Sequence, residues 1–167
     1  MGMLNAQGTS EVPSDPILAK IEQGIEEKIP PQFKNAYLAI VVAGNKVLFS
    51  PQSAALLAQV VRAPDFMQRL PGRMANLMAT LSNESGKDAQ GQPMMKMEML
   101  GPATMTLTCH VLGFAENAGG VKLDQNTIAN AIQSVMQAVL PKFGIGKQQL
   151  QQAMAQQSNA QVTNQGV

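Results

Sequence analysis

The chain has 167 residues, a formal net charge of +1, one Cys and few aromatics: no Trp, one Tyr and five Phe. That length holds one domain with a real core and short tails, and a charge near zero gives no field that draws nucleic acid to the whole surface. A single Cys excludes a disulfide framework within the chain, and a core short of aromatics must be built from Leu, Ile, Val, Ala and Met, which favours packed helices over a β-sandwich.

Residues 1–13 are polar, contain Gly and show no period, so they read as a flexible arm without a secretory signal. No run approaches the roughly 18 apolar residues that a membrane helix needs, so no membrane partner is expected. A helix follows the arm. Ser14 or Asp15 caps it, Pro16 suits its first turn, and Ile17, Leu18, Ile21, Ile25 and Ile29 recur at helical spacing until Pro30-Pro31. Lys20, Glu22, Glu26 and Glu27 lie mostly off that stripe. The next segment, QFKNAYLAIVVAGNKVLFS, supports two readings. Phe33, Tyr37, Ile40, Val41, Gly44 and Leu48 share one helical face, while Gly44-Asn45 suits the tight turn of a hairpin. A mostly apolar run without alternation favours the buried helix, with Gly44 as a close-packing point.

Ser50-Pro51 restarts the chain as a cap followed by Pro at the first helical position. Ala54, Leu57, Ala58 and Val61 line one face up to Ala63-Pro64. Asp65 then caps a short turn with Phe66, Met67 and Leu70, and Pro71-Gly72 interrupts it. Met74, Leu77, Met78 and Leu81 resume a stripe ending near Ser82. Residues 83–93, NESGKDAQGQP, read as an exposed loop. The stretch PMMKMEML follows, and Gly101-Pro102 resets the backbone. In residues 103–120 two periods compete. Met105, Leu107, Cys109 and Val111 alternate with Thr104, Thr106, Thr108 and His110 as in a strand, so a β-hairpin over 94–111 stays open; Met105, Cys109, Leu112 and Ala115 equally form a helical stripe. Gly119-Gly120 closes the segment either way. Asp124 caps the strongest helix, carrying Ile128, Ala131, Ile132, Val135, Met136 and Val139 up to Leu140, and Pro141 ends or bends it before the exit Phe143-Gly144-Ile145-Gly146. A last helix, KQQLQQAMAQQ, offers Leu150, Ala153 and Met154 as its apolar edge. Half of residues 148–167 are Gln or Asn. The organisation expected is an arm (1–13), a compact, mainly α domain of about six helices (14–146), and a Gln/Asn-rich C-terminal helix and tail (147–167).

Residue types that carry chemistry are sparse. Cys109 and His110 are adjacent, but neighbours on a helix or strand point in different directions, and no second Cys or His completes a zinc set. No nucleophile elbow accompanies the Ser residues. FGIGKQQ lacks the first Gly and the Ser/Thr of a phosphate loop. No catalytic residue, cofactor or metal ligand is therefore expected. Met94, Met95, Met97 and Met99 have a spacing that soft thioether sites for Cu(I) use, but unbranched Met more readily fills irregular gaps. They are expected as adaptable apolar surface at a packing junction, and together with Leu150 and Met154 as contacts to a partner.

An acidic first helix ending in Ile29-Pro30-Pro31, a buried helix running into Ala43-Gly44-Asn45-Lys46-Val47-Leu48-Phe49-Ser50, and a late helix with Gly119, Asp124, Thr127, Ile128, Ala129 and Ala131 before Phe143-Gly144-Ile145 make a recognisable order. It resembles a family of small virion-associated proteins of tailed bacteriophages, particularly short-tailed ones. The resemblance spans roughly residues 15–150 and consists of apolar positions and helix breakers, without a signature motif or a site to carry over. It implies a helical, non-enzymatic structural protein at the portal vertex or inside the head. Its partners would be portal, adaptor or capsid proteins and further copies of itself, and contact with DNA stays open. The location implied is the virion, and the host cytoplasm during assembly. An internal protein ejected with the DNA is a variant of this class, and a cytoplasmic helical adaptor or regulatory protein is the competing one.

Overall fold

The computed structural model describes residues 15–86, 89–90, 95 and 97–144, and among them are six α-helices and no strand. They are α1 (Pro16–Lys28), α2 (Lys34–Phe49), α3 (Pro51–Val61), α4 (Phe66–Ser85), α5 (Met97–Asn117) and α6 (Gln125–Val139). Short 3-10 turns, Pro31–Phe33 and Leu140–Phe143, precede α2 and follow α6. The mainly α domain expected from composition is what the chain builds. The N-terminal arm, the last helix and the tail lie outside the described residues.

Three starts follow local chemistry. Asp15 Oδ1 accepts the Ile17 and Leu18 N–H groups at 2.7 and 3.3 Å, Ser50 Oγ accepts that of Ser53 at 3.4 Å, and Asp124 Oδ1 accepts that of Thr127 at 2.7 Å. Each removes a donor that a helix start otherwise leaves unpaired. The bond to Thr127 also holds the Asp124 carboxyl below its usual value, because it favours the charged form. Asp65 differs from expectation. Its side chain makes no cap bond and pairs instead with Arg69 at 2.6 Å.

α5 is the centre of the fold and touches each of the other helices. Met99, Leu100, Ala103, Leu107, Cys109, Val111, Leu112 and Ala115 are all buried, and so are Thr104, Thr106, Thr108 and His110 between them. The hairpin reading of 94–111 is thereby corrected. The alternation of Thr with apolar residues is not an in–out pattern, because both sets face protein. Thr104 and Thr108 donate back to the Leu100 and Thr104 carbonyls at 2.6 and 2.7 Å, which lets a hydroxyl enter a helical core without a foreign partner. The two internal prolines are corrections as well. Pro71 lies within α4 and Pro102 within α5, so neither restarts the backbone. Each removes one helical hydrogen bond near the start of a helix that buries Leu70, Met74, Leu77 and Met78, or Met99, Leu100 and Ala103, and that burial outweighs the loss. α4 also runs on to Ser85, which takes the beginning of the supposed 83–93 loop into the helix.

α2 is a helix and not a hairpin, but it is buried on one face only, through Tyr37, Ile40, Val41 and Gly44, and it meets α5 at Gly44. A Cβ built there would lie 2.5 and 2.7 Å from the two terminal methyls of Leu107. α3 then departs from α2 at a bend of 75° and is pinned at its far end. Val61 is fully buried, Arg62 Nε donates to the Ala118 carbonyl at 3.1 Å, and Gly120 packs so tightly on the Val61 carbonyl that a Cβ would fall on it. Among the described residues no single helix is long and apolar enough to cross a membrane. Gly44→Ala is expected to destabilise the protein by about 1–3 kcal/mol through overpacking, with partial recovery when combined with Leu107→Val. Gly120→Ala is expected to cost more, because backbone rather than a side-chain tip is in the way. Urea unfolding of the three variants measures this.

Candidate functional site

Two regions combine the features of a site: a buried polar cluster beneath α1, and an apolar groove under α3. The cluster gathers residues from three helices. His110 of α5 holds Asn45 Oδ1 of α2 at 2.8 Å through Nδ1, and Glu22 Oε1 of α1 stands 3.4 Å from Nε2. The facing carboxylate calls for a hydrogen on Nε2, and the Asn45 amide, which is free to flip, serves the other nitrogen. Glu22 Oε1 is buried and has no hydrogen-bond partner, since its approach to the imidazole lacks hydrogen-bond geometry. One turn away, the Tyr37 hydroxyl shares a 2.7 Å hydrogen bond with Thr106 Oγ1. Burial raises the Tyr37 pKa, opposed in part by that bond.

Cys109, adjacent to His110 in sequence, is fully buried, and burial followed by the repulsion of Glu22 pushes its thiol up to about 12. A nucleophilic Cys needs the opposite shift. Among the described residues no group of three or more His, Cys, Asp or Glu gathers as a metal set. What the cluster does is fix rotation. Tyr37, Gly44 and Asn45 on α2 meet Thr106, Leu107 and His110 on α5, and turning either helix by one residue breaks all three contacts.

The groove lies between α2, α3, α4 and α5 and has a volume of about 370 Å³. α3 is held at Ser50 and at Val61, and between them Leu57 and Val60 are only partly buried against the core. Leu57, Phe66, Leu70, Met74 and Val111 line it, with Ser53, Arg73, Asn76 and Thr80 as the polar groups. At its mouth Val47 is 40% and Leu56 63% exposed. On the opposite flank of α2, Leu38 and Val42 are 47% and 46% exposed, with exposed Ala39 between them.

Of the residues expected to contact a partner, Met95 and Met99 are buried in the chain's own core and Met97 opens α5. Met94, Leu150 and Met154 lie outside the described residues. Among the described residues, the large apolar side chains left exposed, Leu38, Val42, Val47 and Leu56, belong to α2 and α3. One signal in the sequence pointed there: α3 carries Ala54, Ala55, Leu56, Leu57, Ala58, Val60 and Val61, apolar residues on every side of a helix that has a core on one side only. Glu22 lies off the apolar stripe of α1, and nothing local in the sequence marks it as the residue facing His110.

No known protein family, characterised protein or solved structure matches the chain.

Cys109 should resist alkylation. With its thiol pushed up to about 12 and closed off from solvent, native protein at pH 8 should react with iodoacetamide about a hundredfold or more slower than urea-unfolded protein, read by mass spectrometry. Asn45→Ala should cost about 1–3 kcal/mol, because it leaves an imidazole nitrogen buried and unpaired, and chemical denaturation gives the value.

Proposed function

We propose that this chain is a non-enzymatic structural subunit of a tailed-bacteriophage particle, at the portal vertex or inside the head, acting through protein–protein contacts with portal, adaptor or capsid proteins and with its own copies. The observation that carries this is the outer face of α2. Leu38, Ala39 and Val42 stand in water side by side, with only Lys34 and Lys46 as charges on that helix. Exposed apolar patches of this kind mark contact surfaces, and a particle of many identical subunits covers one such patch in every copy. The order of apolar positions and breakers over residues 15–150, which resembles small virion proteins, supplies the setting. In this reading the polar cluster keeps α2 in one rotation against α5, so that the same stripe faces outward in each copy. An internal protein ejected with the DNA uses the same contacts and differs in fate: it is absent from emptied particles.

A second reading is a cytoplasmic adaptor or regulatory protein that takes a partner's helix, and the groove of about 370 Å³ favours it. Light scattering and particle analysis separate the two. A virion subunit should associate as its concentration rises and lose that association in Leu38→Asp/Val42→Asp. Mass spectrometry of density-purified phage particles from the source of the gene should find it in many copies. A chain that stays monomeric at every concentration and is missing from particles overturns the virion reading and leaves the adaptor.

A further inference from the structure

The groove under α3 is an apolar trough whose mouth leaves Leu56 and Val47 in water, and the chain leaves the described fold at its wall. Lys142 Nζ donates to Asn76 Oδ1 at 2.8 Å, and Asn76 lines the groove. Two residues later Gly144, at φ +80, ends the Leu140–Phe143 turn in the left-handed conformation. Twenty-three residues follow it (167 minus 144). Within them Leu150, Ala153 and Met154 stand at positions i, i+3 and i+4, the spacing of one helical face, and no charge occurs after Lys147.

We propose that residues 147–157 dock in this groove within the same chain, with Leu150, Ala153 and Met154 turned onto the apolar residues of α3 and α4. Three arguments choose this occupant. Reach is set by a short linker: the three residues from Gly144 to Lys147 extend up to about 10 Å and the helical rise to Leu150 adds about 5 Å, from an exit already tethered to the groove wall. Tethering is the second. A short linker presents its own segment at an effective concentration in the millimolar range, so even weak docking in cis prevails over a free competitor. The third is chemistry. The groove offers apolar walls and one rim cation, Arg73, and the segment offers an apolar edge flanked by uncharged Gln residues whose carbonyls accept from that guanidinium. Leu56, left mostly in water by the rest of the fold, becomes covered. The proposal does not depend on a virion role.

The test uses the full chain with Leu56→Cys and Met154→Cys, leaving buried Cys109 in place. Mild oxidation should give a 56–154 disulfide within one chain, seen as a monomer on a non-reducing gel and located by peptide mapping. A covalent dimer joined through the same positions would put a second copy in the groove and overturn the proposal, as would the absence of any 56–154 bond. Hydrogen exchange supplies a measurement free of cross-linking. In Leu150→Asp/Met154→Asp the amides of α3 should exchange at least about tenfold faster while those of α6 stay as they were. Unchanged exchange in α3 equally overturns it.

Discussion

Leu107 lies against Gly44 with no room for a methyl group between them, and that approach of α2 to α5 is the constraint on which the polar pairs between these helices depend. It brings the Tyr37 hydroxyl to Thr106 and the Asn45 amide to His110, and it draws α5 so far inside that other helices surround it. A helix enclosed in this way has no water to fall back on. Thr104 and Thr108 satisfy themselves on their own backbone, whereas Thr106 and His110 must be met from outside. Apolar packing alone tolerates some rotation of one helix against another. The polar contacts do not, because a misplaced hydroxyl or imidazole in the core loses its partner outright. The tight contact and the polar pairs thus divide the labour: one sets distance, the others set angle.

What the chain states locally, it states clearly. Asp15-Pro16, Ser50-Pro51 and Asp124 mark helix starts because a cap bonds a backbone N–H two or three residues away, an interaction readable in a few letters. Gly44 as a packing point was legible for a similar reason, since a Gly on an apolar helical face suits close approach. α5 was not legible, because a helix buried all round has no polar face and its period vanishes. Pro71 and Pro102 misled for a different reason. The penalty of an internal proline is local, while the burial that offsets it comes from helices tens of residues away. The cluster of Glu22, Asn45 and His110 is hidden for the same cause: its members stand on three helices, and only the completed crossing brings them together.

α3 shows how few anchors a short apolar helix needs. The turn at Ser50 holds one end, and a buried Val61 with the Arg62 bond to the Ala118 carbonyl holds the other. Between these anchors Leu57 and Val60 reach the core without filling the space beneath the helix, and a trough is left. The result is a protein with apolar surface on both flanks of α2, one facing outward and one roofed by α3. α2 is the shared wall, and its rotation is fixed by the polar pairs with α5, so both surfaces inherit their orientation from the same few contacts.

The scarcity of aromatics has a last consequence. Without Trp and with a single Tyr, the near-ultraviolet emission of this protein comes from Tyr37. That ring is 2% exposed and bonded to Thr106 beside the Gly44 approach. The single Tyr thus stands at the joint between α2 and α5, and its emission reports on that joint without any label being added.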